Sequence, residues 1–221
     1  VYSGSAGGGI YGGFTWAKGL TVKDNSAETN APINYTSQGG GIYLTNISTA
    51  YYNGTTYYGK DIVMQDCVIE SNKAQGQGGG IYNNSAASDS KSNRFGLTLT
   101  GTTSVTKNTA EGPKGMGGGI YNSSPLTLNA AVEWNNTAEG ISANTNGTPA
   151  GSNIYTNTSD EVRLLQGTFV GNTSIVGYRS DTTVGKIVLD PTKVNFQPEE
   201  NGYAIHSENP RTQIVLLQPL P

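Results

Sequence analysis

Gly7-Gly8-Gly9-Ile10-Tyr11 recurs unchanged as Gly39-Gly40-Gly41-Ile42-Tyr43, Gly78-Gly79-Gly80-Ile81-Tyr82 and Gly117-Gly118-Gly119-Ile120-Tyr121. Two altered copies follow, Gly151-Ser152-Asn153-Ile154-Tyr155 and Gly202-Tyr203-Ala204-Ile205-His206. From isoleucine to isoleucine the spacings are 32, 39, 39, 34 and 51 residues. Self-similarity on this scale marks a chain built from stacked structural units. Glycines ahead of the isoleucine permit a tight corner with positive φ, where a side chain would clash.

A second motif lies upstream of most copies: an apolar residue, two variable ones, asparagine, then two small residues. Its instances are Val22 to Ala27, Ile69 to Ala74, Val105 to Ala110 and Phe169 to Ser174. Around Val132 the match needs one extra residue, so either Asn135 or Asn136 is the equivalent asparagine. A third, weaker element is a short alternating strand: Leu20-Thr21-Val22, Leu97-Thr98-Leu99, Leu126-Thr127-Leu128, Val162-Arg163-Leu164 and Ile187-Val188-Leu189. No stretch has helical periodicity.

Short strands that return in one order at one period predict an all-β fold, a parallel β-helix of about six coils with polar loop excursions. Strands stacked at the usual spacing make it a column of about 29 Å. Ile10, Ile42, Ile81, Ile120, Ile154 and Ile205 are expected to form an apolar ladder inside, with the following tyrosines pointing to the opposite face. Asn25, Asn72, Asn108 and Asn172 stand where the chain turns, and stacked amides there are expected to satisfy backbone groups in each coil. Residues 1–190 read as the repeat domain and 191–221 as a final coil, cap or inter-subunit segment of that same domain.

Together the Gly-Gly-Gly-Ile and apolar-x-x-Asn motifs resemble the paired repeats of chlamydial-type polymorphic outer membrane proteins. Phe169-Val170-Gly171-Asn172 has that family's Phe-x-x-Asn form, and the other copies carry Val or Ile in place of Phe. The glycine copies vary its Gly-Gly-Ala-Ile form. The resemblance spans roughly residues 7–175 and weakens beyond. It implies a passenger that is a right-handed parallel β-helix exposed at a cell surface, with adhesion as the usual role. Two features depart from it: no C-terminal translocator barrel is present, and loops lengthen the period.

Composition agrees with a β protein of many turns, its surface covered by hydroxyls and amides. Charged residues make up 13% of the 221, while there are 31 Gly, 26 Thr, 22 Asn and 19 Ser; an average domain carries about 25% charged residues. The formal net charge is −3 and there is no basic patch, which leaves nucleic acid and anionic membrane surfaces without electrostatic attraction. No apolar run reaches the ~18 residues of a membrane span. Cys67 is the single cysteine, set in an apolar run, and reads as a small buried side chain. The chain opens at Val1 and enters a repeat almost at once, which reads as a mature or excised portion of something longer.

The search for chemistry yields little. Parallel β-helices also house polysaccharide-cleaving enzymes, whose acid-base work needs two carboxylates held ~5–9 Å apart. Here Asp24, Asp61, Asp66, Glu70, Asp160, Glu161, Asp190, Glu199 and Glu200 are scattered, and Asp61 and Asp66 with Lys60 come nearest to a lyase set. His206, the sole histidine, takes the Tyr position of the last motif copy and reads as an exposed structural residue. The expectation is a protein with no catalytic residues, metal or cofactor. Glycine triplets without a following Lys-Ser/Thr and helix do not make a phosphate loop.

One segment offers a partner or glycan surface: Tyr51, Tyr52, Tyr57 and Tyr58, interleaved with Asn, Gly and Thr. The plainer reading is a hairpin about Asn53-Gly54 whose rings cover the flank of the column. Nine Asn-x-Ser/Thr sequons occur, at Asn34, Asn46, Asn53, Asn83, Asn122, Asn135, Asn146, Asn157 and Asn172, the last expected to be internal and blocked. The apolar run Ile214-Val215-Leu216-Leu217 is either a lid or an edge strand that pairs with the next subunit. Three roles remain: surface adhesin segment, self-assembling extracellular fibre subunit, and carbohydrate-active enzyme.

Overall fold

The computed structural model describes residues 6–28, 37–45, 50–52, 55–57, 61–85, 96–140, 151–158, 160–171, 175–177, 185–200, 202–207 and 210–217; for 50–52, 55–57 and 175–177 it describes the backbone alone. Among these residues there is no helix, so none is long and apolar enough to cross a membrane. The strands are short and, with one exception, pair in parallel.

The glycine motif builds one sheet. Its strands are Ile10–Gly12, Ile42–Thr45, Ile81–Asn84, Ile120–Asn122, Ile154–Thr156, Ile175–Gly177 and Ile205–Ser207, hydrogen-bonded in that order. Each isoleucine is in register with the next. Ile42, Ile81, Ile120 and Ile154 have no exposed surface, and Ile10 and Ile205 are half-buried. The sheet has seven strands where the six motif copies led us to expect six units. The additional one, Ile175–Gly177, lies inside the 51-residue interval and lacks a glycine triplet.

A second sheet runs Trp16–Lys18, Ile62–Gln65, Leu97–Gly101, Leu126–Asn135, Glu161–Val170, Lys186–Leu189, Gln213–Leu216, with Val194–Gln197 also paired to Glu161–Val170. Alternation sends Leu97, Leu99, Leu126, Leu128, Val162 and Leu164 into one apolar core with the isoleucines. Leu20-Thr21-Val22 is not the first member of this sheet. Trp16–Lys18 takes that place, and Thr21–Lys23 joins Val68–Glu70 and Ser104–Thr106 in a separate three-stranded sheet. A local apolar-polar-apolar pattern cannot tell these two sheets apart, because both present the same alternation to the core. Val22, Ile69 and Val105 are buried on this third side, and Trp134, Phe169 and Phe196 stack there in the later units with ring centroids 5.6 and 5.5 Å apart. The region beyond residue 190 supplies strands to both main sheets.

Between the third side and the isoleucine sheet the chain turns at a column of asparagines. Backbone N–H and Nδ2 of Asn25 both donate to Oδ1 of Asn72 (3.1 and 3.0 Å). Asn72 does the same to Asn108 (2.9 and 3.0 Å), and Asn108 to Asn136 (3.0 and 3.0 Å). The second Nδ2 hydrogen of Asn72, Asn108 and Asn136 goes to the carbonyl of Val22, Ile69 and Val105 respectively. The residue before the asparagine adopts the left-handed conformation at Asp24, Ser71 and Lys107, with φ of 55–56°, which aims each amide along the column. Asn136, not Asn135, is the ladder residue, and Asn135 is exposed. Asn172 lies outside the described residues. Asn153, at the third glycine position of its motif copy, accepts from Asn136 (2.8 Å) and donates to the Val170 carbonyl (2.9 Å).

The ladder accounts for the third glycine. A Cβ on Gly80 would lie 3.0 Å from Cγ and Nδ2 of Asn108 and 2.7 Å from the Gly119 carbonyl. The first glycine serves the corner itself: Gly78 has φ of 67°, where glycine carries no Cβ penalty.

Candidate functional site

The tyrosine after the isoleucine in the first five motif copies lies on the opposite face from the core, and among the described residues this position builds the longest run of stacked rings. Tyr11, Tyr43, Tyr82, Tyr121 and Tyr155 stack face to face in register, with centroids 5.1, 4.9, 5.0 and 5.3 Å apart and interplanar angles of 17, 9, 2 and 21°. Strand spacing sets the separation, since parallel partners repeat every 4.7–4.9 Å. Each such pair adds roughly 0.5–1.5 kcal/mol beyond the area it buries.

Exposure changes along the stack. Tyr11 is 65% exposed, Tyr43 and Tyr82 are half-buried, and Tyr121 and Tyr155 are buried. Met116 packs against the inner end, and Asn157 Nδ2 donates to the Tyr121 hydroxyl (3.2 Å). Burial pushes the phenol pKa of Tyr82 and Tyr121 up, since a phenolate loses hydration there. Past Tyr155 the same column holds Val176 and then His206. His206 is half-buried, with its ring tilted 53° against Tyr203 at 5.5 Å.

The tyrosine segment singled out in the sequence is a two-stranded antiparallel ladder. Ala50–Tyr52 pairs with Thr55–Tyr57, and Tyr52 opposes Thr55 across residues 53 and 54. Tyr51, Tyr52 and Tyr57 are therefore strand residues, while Tyr58 falls outside the described residues.

Carboxylates meet local partners. Asp61 Oδ1 accepts from the Gly96 N–H (2.8 Å), and Asp66 Oδ1 accepts from the N–H and hydroxyl of Thr102 (3.0 and 3.2 Å). Glu70 sits between Lys23 and Lys107, whose hydrogen bonds pull its pKa from 4.5 down to about 2. Glu161 bridges Arg163 and Lys186 at 2.6 Å each, and Asp190 accepts from the N–H and hydroxyl of Thr192 (3.0 and 2.7 Å). Among the described residues no group of three or more His, Cys, Asp or Glu is placed to hold a metal. Cys67 has no exposed surface, and its thiol points at the Gln65 carbonyl (3.2 Å).

The described sequons divide sharply. Asn83 and Asn122 have no exposed surface and join through Asn83 Nδ2 and Asn122 Oδ1 (2.7 Å), whereas Asn135 is exposed and Asn157 half-buried.

No family model, curated protein or solved structure matches the chain. The tyrosine stack and the Asn83–Asn122 pair went unrecognised in the sequence reading. The signal for the stack was present: tyrosine follows isoleucine in five motif copies, and in-register stacking of the isoleucines stacks whatever comes next.

Proposed function

We propose that the chain winds as a right-handed parallel β-helix and serves as a non-enzymatic structural and adhesive segment, a stalk or passenger, of an extracellular cell-surface adhesin. The observation that carries this reading is the continuity of three ladders. Isoleucine, asparagine and tyrosine positions each repeat from unit to unit in register. Such a column holds side loops at fixed heights, which suits the display of contact residues away from a surface. The resemblance to polymorphic outer membrane protein repeats points the same way. Tyr51, Tyr52, Tyr57 and Tyr58 are the contact residues of this reading, and the partner is a glycan or protein on a host or neighbouring cell. Purified protein is expected to bind such cells or a glycan array, and its Tyr51, Tyr52, Tyr57 and Tyr58 to Ser variant to lose most of that signal. Absence of binding in the parent protein, or undiminished binding in the variant, overturns the reading.

A second reading, a fibre subunit joined head to tail, draws on one observation. Ile214 and Leu216, on the last described strand of the second sheet, are 52 and 41% exposed, and Leu217 just beyond it is 47% exposed. An exposed apolar edge recruits further strands. Sedimentation that rises with concentration, and falls when Ile214 and Leu216 become lysine, supports the fibre; a monomer at all concentrations removes it.

A further inference from the structure

The geometry points to Tyr11 and Tyr43 as an oxidative cross-linking site, at which a one-electron oxidant such as a haem peroxidase with hydrogen peroxide joins the two rings as dityrosine within one molecule. The adhesive reading is not needed for this inference.

Three observations combine. Tyr11 is 65% exposed, so an oxidant working from solvent meets it first in the stack. The Tyr43 ring lies 5.1 Å away at 17°, held there by the paired strands Ile10–Gly12 and Ile42–Thr45. Two reactive groups fixed side by side couple as though at very high concentration, which favours the internal product over links between molecules. The inner end is closed to this chemistry, since Tyr121 and Tyr155 are 5 and 3% exposed.

The reaction balances as follows. Each phenol yields one electron and its hydroxyl proton, leaving two phenoxyl radicals. These form one carbon–carbon bond between ring positions ortho to the oxygens, and the hydrogens displaced from those carbons move to the oxygens and restore both phenols. Two electrons and two protons reduce one hydrogen peroxide to two waters.

The test treats the folded chain with a haem peroxidase and limiting hydrogen peroxide, then maps tryptic peptides. Tyr11 and Tyr43 fall on different peptides, separated by Lys18 and Lys23. We expect dityrosine fluorescence in a species that still runs as a monomer under denaturing conditions. Its Tyr11 and Tyr43 peptides should appear joined, two hydrogens lighter than their sum. Tyr43→Phe keeps the ring in the stack but has no phenol, so it should retain the parent far-ultraviolet circular dichroism and lose the joined peptide. Oxidation in concentrated urea should also abolish it. Failure to find the joined peptide in folded parent protein overturns the proposal, as does equal yield from urea-unfolded protein.

Discussion

Replacing Asn108 by alanine isolates the contribution of the amide column. The side chain has no exposed surface and takes part in four hydrogen bonds: Oδ1 accepts from the N–H and Nδ2 of Asn72, and Nδ2 donates to the Ile69 carbonyl and Asn136 Oδ1. In Asn108→Ala the backbone N–H of Asn72 is left buried with no partner, at a cost of about 1–3 kcal/mol. The other three bonds join groups that keep a second partner or lone pair, so each is worth nearer 0.5–1 kcal/mol. The total is about 4 kcal/mol. With a urea dependence of roughly 3 kcal/mol/M for a chain of this size, the unfolding midpoint should fall by about 1.3 M. Asn108→Asp should do at least as badly, because an oxygen then faces the Ile69 carbonyl and Asn136 Oδ1. The control is Asn135→Ala, whose side chain is exposed and whose effect should stay within about 0.5 kcal/mol. Urea unfolding followed by circular dichroism measures all three. If Asn108→Ala shifts the midpoint no more than Asn135→Ala does, the column is not a source of stability and the reasoning fails.

Gly79→Ala places a methyl in hard contact with the Thr109 and Gly118 carbonyl oxygens, so soluble yield and melting temperature should drop steeply. Gly112→Ala meets nothing within 4 Å and should cost only the roughly 1 kcal/mol of a left-handed alanine. Glu70 contributes stability that is present above its unfolded pKa of about 4.5 and is lost as pH falls toward about 2, so Glu70→Gln should flatten the acid limb of stability over that window. Ultraviolet titration of the phenols should show Tyr82 and Tyr121 ionising after the exposed tyrosines. Stability should then fall as pH rises past the usual tyrosine value near 10, because the unfolded chain ionises these two groups first.

The parts of the fold legible in the sequence are those where one residue type is demanded at one height in each unit. Ile42, Ile81 and Ile120 are interchangeable in environment, so selection for core volume leaves the same letter each time. Asn136 was ambiguous because Trp134 and Asn136 are one residue closer than Ile69 and Asn72, and the left-handed residue that sets the usual spacing is missing there. The Ile175 strand escapes a motif search because no glycine triplet precedes it in the sequence. Asn153 stands where four motif copies have glycine, and its amide occupies the column that the glycine elsewhere leaves room for. Exposure along the tyrosine stack could not be read from identical motif copies, since it depends on what covers each ring.

The connection from an isoleucine strand to the following strand of the second sheet varies from 3 residues, between Asn122 and Leu126, to 16, between Thr45 and Ile62. Both spans leave the flanking pairs in register. Lengthening a loop costs only logarithmically more closure entropy. One edge of the molecule therefore behaves as a row of sockets. A foreign peptide spliced between Ser85 and Gly96 should ride on the scaffold without disturbing the strands above and below, and evolution or an engineer can change what is carried there without redesigning the support.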